Sequence, residues 1–440
     1  MKRASASTRL PIAALAVLLA CAGEPGARSV APIDTTITAP SMPMTGTAVP
    51  GMASFDSVIT AFMRTLAIPG GAVAVTRDGR LIYARGFGYA DVASGTPVQP
   101  DALFRIASVS KTITATAVMR LVEQGALSLD DRVAPLLAHL TPAPGATVDP
   151  RWEQITVRHL LNHSGGWDRN RPNGGFDPID RPGIAAAAVQ APAPASGETL
   201  IRYMKGMPLD FDPGERFAYS NFGYIILGRV IERVSGMPYA EYVRTRVLAP
   251  VGAARTQQGR SRLMHALADE VKYYSPPSAN IDALLMPSVF PGESLVPLTY
   301  GGFHLEVSDA SGAWVSSTID LLRLVGAIDG RASRPDLLAP ASIAQMTGSG
   351  STVCANGGCY YGAGWFVRPT AGDAIWWHGG SFPGATAMLV HAQGNVVWVG
   401  LFNGRTLSPV NSEPALDAAL AKAFAGVTAF PTHDLFAAFR

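Results

Sequence analysis

Phe104-Arg105-Ile106-Ala107-Ser108-Val109-Ser110-Lys111-Thr112 is the stretch from which the fold of this chain is read. A serine stands three residues before a lysine, and residues 112–123 then read as a helix. Ile113, Ala117, Val118, Leu121 and Val122 recur at helical spacing, and no Pro or Gly interrupts them before Gly125. With Ser108 in the first turn, Ser108 and Lys111 share one helix face and their side chains meet. A helix start carries partial positive charge and free backbone N–H groups, which favours an alkoxide on Ser108. The lysine amine beside it can take the hydroxyl proton once its pKa is lowered. Holding a reference lysine neutral at pH 7 costs about 4–5 kcal/mol, so burial and neighbours must supply most of that. The plain alternative is a helix cap followed by a solvated lysine.

The 440 residues are 48% hydrophobic and 15% charged, enough to bury a large core and to form more than one structural unit. A net charge of +2 with no Lys/Arg block argues against a nucleic-acid surface. Met1-Lys2-Arg3, with Arg9 and the short apolar run at residues 10–20, has the shape of an export signal and is too short to span a bilayer. The run ends Leu18-Leu19-Ala20-Cys21, which resembles a bacterial lipoprotein processing site. The expectation is a signal peptide over 1–20 and a lipid anchor through Cys21, against a plain secretory signal with an incidental cysteine. Either way the protein is exported, to the periplasm or to a membrane-anchored state. Of the three cysteines, Cys354 and Cys359 remain. In an oxidising compartment they can close a small disulfide loop, worth about 2 kcal/mol.

Residues 21–50, rich in Ala, Pro, Thr, Gly and Met, read as a flexible tether. From Met52 the composition turns globular, beginning with a helix over 55–66. Residues 71–76 and 81–89 alternate around Arg77-Asp78-Gly79-Arg80 and read as a hairpin. Helices are expected near 136–140, 157–162, 199–204, 222–234, 239–247 and 319–328, with a Gly-, Pro- and Ala-rich insertion over 165–197 read as a loop. Short strands follow at 364–367, 374–377, 385–391 and 396–402, then a closing helix over 413–424. Strands at both ends and helices between them predict an α+β fold, an α/β sandwich. One antiparallel sheet is built from both chain ends and flanked by terminal helices, with a mostly helical region inserted. The catalytic unit is placed at 51–430, its sheet part at 51–107 and 360–430 and its helical part at 108–359.

Two further stretches carry chemistry. Phe217-Ala218-Tyr219-Ser220-Asn221 enters the helix that follows. A tyrosine there can relay a proton and an asparagine can orient an amide, or Asn221 simply caps the helix beside a half-buried Tyr219. Trp376-Trp377-His378-Gly379-Gly380-Ser381 places glycines directly after an expected strand, where a ligand can approach the backbone and the Ser381 N–H can bind an oxyanion. An ordinary turn explains the same residues. His159 and His163 stand four apart without the glutamate of a zinc-protease helix and are read as structural. Four-ligand zinc spacing, a Gly-x-Ser-x-Gly elbow and a phosphate-binding glycine loop do not occur in the sequence.

Ser-x-x-Lys, then Tyr-x-Asn, then a basic residue with glycine on a late strand resembles the serine β-lactamase and penicillin-binding protein superfamily. The Tyr-x-Asn form is similar to its class C and esterase-type branch. His159-Leu-Leu-Asn-His-Ser-Gly165, Phe211-Asp-Pro-Gly214 and Tyr361-Gly-Ala-Gly-Trp365 extend the resemblance, which runs from about residue 55 to 424. It implies a β-lactamase/transpeptidase-like fold and a serine hydrolase working through an acyl-enzyme without metal or cofactor. Ser108 would be the nucleophile, and Lys111 and Tyr219 a coupled acid–base pair. Asn221, His378, Gly380 and Ser381 would bind substrate, and the N–H groups of Ser108 and Ser381 would form the oxyanion hole. His378-Gly379-Gly380 departs from the Lys-Thr-Gly of class C enzymes. A mostly neutral histidine and a missing hydroxyl weaken any grip on a substrate carboxylate. The expected partner is therefore a small or peptide-like ester or amide, with β-lactam hydrolysis or receptor-like binding without turnover as alternatives.

Overall fold

The computed structural model describes residues 42–172, 174–348, 358–371, 373–406 and 412–439. Cys21, with the rest of the expected signal and tether as far as Ser41, and Cys354 lie outside them. Cys359 is disulfide-bonded.

Helix α1 (Ala53–Thr65) leads into strands β1 (Gly70–Arg77) and β2 (Arg80–Asp91), joined through Asp78 and Gly79, both at positive φ. Glycine and aspartate tolerate that conformation, which suits a two-residue hairpin turn. Helix α2 (Ser110–Glu123) and helix α3 (Asn221–Ser235) belong to the intervening region. The chain returns to the sheet as β3 (Phe366–Thr370), β4 (Asp373–Phe382), β5 (Ala385–Ala392) and β6 (Val396–Phe402), and closes with α4 (Ser412–Ala425).

Among the described residues the main sheet has nine strands, and its central order is β2-β1-β6-β5-β4-β3, antiparallel throughout. The two ends of the chain thus meet at its centre, where Val399 pairs with Ala74 and Phe402 with Gly71. Side-chain alternation divides β1 cleanly: Val73 and Val75 pack with Phe55, Ile59, Leu416 and Leu420 of the terminal helices. Ala72 and Ala74 face the other way, into the core shared with α2 and α3. Helix α2 is buried on nearly every side. Its threonines survive there because Thr112 and Thr116 hydroxyls donate to the Val109 and Thr112 carbonyls at 2.9 and 2.8 Å.

Several elements differ from their sequence reading. The 165–197 insertion contains Pro178–Asp180, a short 3₁₀ turn, and Pro182–Ala188, an α-helix, because a proline opens each with its φ already set. A short helix, Val133–Leu136, precedes the 137–140 segment. The helix expected over 239–247 is α-helical only through Val243 and continues as a π turn, Arg244–Leu248. The strand expected to stop at Trp377 runs on to Phe382, so His378, Gly379, Gly380 and Ser381 lie inside β4 rather than in a turn after it. Its glycines are required by what approaches it, as described below.

Phe402 lies across Gly71, where an added Cβ would stand 2.1 Å from the ring, and it meets Phe62 edge-on at 5.3 Å. Gly71→Ala is expected to destabilise the fold by about 1–3 kcal/mol through overpacking at this centre. The urea midpoint measures it, and an unshifted midpoint would show that Phe402 yields freely.

Candidate active site

Beyond Trp377, β4 keeps β5 on one side but has no strand on the side of β3, whose pairing ends at Phe366–Trp377. A 3₁₀ turn, Ala107–Val109, which carries Ser108 and runs directly into α2, packs on the face of β4 at this point. The fit is close. A Cβ on Gly380 would stand 2.3 Å from the Ile106 carbonyl oxygen and 3.3 Å from the Ala107 Cβ. Ala107 itself has φ +45°, a left-handed conformation that costs an alanine about 1–2 kcal/mol. The strained residue immediately precedes Ser108.

Lys111 is the second residue of α2 and is fully buried. Its Nζ stands 3.1 Å from Ser108 Oγ, 2.7 Å from Asn221 Oδ1 and 2.7 Å from the Ser311 carbonyl oxygen. Burial, then the Arg169 guanidinium, holds Lys111 well below the usual lysine range, against the opposing pull of Asp177 and Glu413. Tyr219 completes the cluster. Lys111 Nζ is 4.9 Å from its ring centre, and burial raises its phenol against hydrogen bonding with Ser108. Burial thus favours the neutral form of both groups, the amine of Lys111 and the phenol of Tyr219.

Asn221 does not cap α3; Ser220 does, accepting from the Gly223 N–H at 3.2 Å. That leaves the Asn221 amide free to bridge, with Oδ1 on Lys111 and Nδ2 donating to Asp177 Oδ2 at 2.7 Å. Asp177 also lies 3.7 Å from Arg169, whose guanidinium sits 4.9 Å from the Tyr219 ring centre. His378 is buried and closed on both nitrogens. Nδ1 lies 2.6 Å from the Gly379 carbonyl oxygen, so it must carry the proton, and Nε2 accepts from the Tyr361 hydroxyl at 2.9 Å. Burial, with Lys111 nearby, pushes its pKa down to about 3. Its imidazole backs the site instead of reaching into the open cleft. His163, read as structural, wedges behind Tyr219 with ring centres 4.2 Å apart, and its Nδ1 accepts from the Ser220 N–H.

Ser108, Lys111, Tyr219, Asn221, Gly380 and Ser381 are thus assembled around one edge of β4. Beside them opens a cavity of about 410 Å³, lined by Asn221, Ser381, Phe382, Arg169 and Arg405 among others. Another cavity, of about 970 Å³ and lined by Trp314, Arg244 and Arg260, lies outside this cluster. Among the described residues no group of three His, Cys, Asp or Glu could hold a metal ion. Four neighbours of the site were not singled out from sequence: Arg169, Asp177, Ser311 and Glu413. Ser311 acts through its main chain, which leaves no side-chain signal. Arg169 and Asp177 sit in the insertion read as a loop. Glu413 had one indirect sign, a glycine at 379 inside a strand, since such glycines mark a close approach.

The fold and this cluster define a member of the serine hydrolase superfamily of β-lactamases, penicillin-binding proteins and esterases. The chain belongs to the Beta-lactamase family, whose model matches residues 55–422. Penicillin-binding protein 4* of Bacillus subtilis is 27% identical over 338 residues, 73% of this chain and 64% of that protein. Esterase EstB of Burkholderia gladioli is 34% identical over 200 residues, 46% of this chain and half of that protein. The solved structure of the octameric penicillin-binding protein homologue from Pyrococcus abyssi superposes with a TM-score of 0.61 at 27% identity, covering 85% of this chain and 77% of that one.

The Lys111 environment has a pH signature. Its folded pKa lies below the unfolded value near 10.5, so the unfolded chain binds more protons between the two. This contribution to stability is present above the unfolded pKa and is lost as pH falls towards the folded one. Lys111→Met removes it, so the variant should gain stability relative to the wild type as pH is lowered through that window. Urea unfolding at several pH values tests this, and parallel profiles would show that the buried amine keeps its charge.

Proposed function

We propose that this protein is an exported serine hydrolase that cleaves ester or peptide-like amide bonds through an acyl-enzyme on Ser108. One observation carries the reading. Two carbonyl oxygens, of Asn221 and Ser311, lie 2.7 Å from Lys111 Nζ and take the two N–H bonds of a neutral amine. Ser108 Oγ, 3.1 Å away, lies in the remaining direction, so that once Lys111 is deprotonated its lone pair faces the hydroxyl.

The Ser108 proton passes to Lys111 as Oγ attacks the substrate carbonyl carbon. The oxyanion is received by the backbone N–H groups of Ser108 and Ser381, each donor worth about 3 kcal/mol in the transition state. Collapse breaks the bond to the leaving group, which takes the Tyr219 phenolic proton, and the Lys111 ammonium reprotonates Tyr219. Water then attacks the acyl carbon by the same route in reverse and restores the Ser108 hydroxyl. Asn221 holds Lys111 in line, and its second N–H is available to a substrate amide. The name of the esterase relative supports ester chemistry. So does His378, which is neutral and enclosed where a class C enzyme has an exposed cation.

A fluorophosphonate is expected to label Ser108, read by peptide mass spectrometry, and Ser108→Ala to abolish labelling. Lys111→Ala and Tyr219→Phe should each slow it by about 10²–10⁴-fold. Among p-nitrophenyl esters, D-amino-acid anilides and nitrocefin, an ester or anilide should have the highest kcat/KM. Preference for nitrocefin would make the protein a β-lactamase, and a stable adduct without turnover a receptor. The leader sequence is proposed to direct acylation of Cys21 outside the cytoplasm. Incorporation of radiolabelled palmitate should then disappear in Cys21→Ala, and its absence from the wild type would leave a plain secreted protein.

A further inference from the structure

Gly379 is flanked in β4 by His378 and Gly380 and points away from both, towards the terminal helices. An added Cβ there would stand 1.8 Å from Glu413 Oε1, 2.6 Å from Cδ and 2.8 Å from Cγ. The space that a side chain at 379 would fill is therefore taken by a carboxylate from another element. Glu413 lies in the first turn of α4, where the free N–H groups and the helix dipole favour a negative charge. Burial raises the Glu413 carboxyl, opposed by Arg405, which lines the cavity beside Ser381, and then by Lys111 and Arg169.

Arg169 faces Asp177 at 3.7 Å, Arg405 favours the charged form of Glu413, and burial holds Lys111 well below the usual lysine range. A substrate carboxylate lying along Gly379 would meet the Glu413 oxygens at the point where a hydroxyl-bearing side chain would otherwise receive it. Like charges in a partly desolvated cleft cost several kcal/mol and are an effective means of rejection.

We propose that Glu413 is a specificity-determining residue that bars carboxylates from the strand side of the cleft. The substrates are then esters or amides with no carboxylate beside the scissile bond. This deepens the hydrolase reading and rests on it for the word substrate. Removing the Glu413 charge uncovers Arg405 and turns the same surface into an acceptor of anions.

The test compares nitrocefin with its methyl ester, which differ only in that carboxylate. The kcat/KM ratio of acid to ester should rise at least about tenfold in Glu413→Gln and Glu413→Ala. It should rise also in Gly379→Ser, whose side chain drives the carboxylate out of that space. Ratios within about twofold of the wild type in all three would overturn the proposal. Equilibrium binding of benzylpenicillin and its methyl ester, measured on Ser108→Ala with and without Glu413→Gln, reads the same preference without turnover. A wild type that fails to label at Ser108 while this binding ratio still shifts would reject the hydrolase reading and keep the charge filter. A binding ratio that does not shift would reject the filter whatever the enzyme turns over.

Discussion

A lysine amine sealed under a serine hydroxyl is the constraint on which the rest of this structure depends. An ammonium in that position would be costly, because burial strips its water and Arg169 adds a like charge. The fold meets the cost by ligating the nitrogen with two carbonyl oxygens from distant parts of the chain, Asn221 Oδ1 and the Ser311 main chain. Each is itself held. Asn221 is anchored by Asp177 through its other end, and the Ser311 N–H donates to the Ser308 carbonyl. A buried polar group so supported keeps one geometry, and here that geometry holds the nitrogen 3.1 Å from Ser108 Oγ.

The second requirement is a place for charge to form on a substrate. It comes from leaving one edge of β4 without a strand among the described residues and fitting the Ala107–Val109 turn against its face. Two local costs accompany that fit: a left-handed alanine at 107 and a glycine at 380 with no room for a side chain. Both are of the kind found where backbone amides must be brought close to a reacting group. They are sustained by the sheet behind, where β4 pairs with β5 along its length and the centre is locked by β1 and β6.

Around this core the aromatic shell sets the electrostatic tone. Tyr219, His163, Tyr361 and His378 contact one another, and the two imidazoles are held neutral by burial. An enclosed neutral histidine adds no field that would ionise Tyr219. Burial raises the phenol and lowers the amine beside it, a division that comes from the environment and not from the residue types. Charged groups sit one layer further out: Arg169 faces Asp177, and Arg405 acts on Glu413 through its field.

Much of this was legible in the sequence because it is local. Period-2 alternation with Asp78-Gly79 marked the first hairpin, and helical spacing after Ser108 marked α2. Strands at both ends with helices between them implied a sheet closed by the two termini. Ser108, Lys111, Tyr219 and Asn221 could be singled out because their side chains carry recognisable chemistry at short spacings. What the sequence could not express is contact between distant segments. The continuation of β4 through Gly379 and Gly380 follows from what presses on them, the Ile106 carbonyl on one face and Glu413 on the other. The assignment of Ser220, not Asn221, as the cap of α3 follows from the pull of Lys111 and Asp177 on the asparagine. Ser311 enters through a main-chain oxygen that any residue would supply. Residue chemistry and short-range period were thus written in the chain, whereas burial, pKa and the charge of the cleft arose only when remote groups were brought together in a place without water.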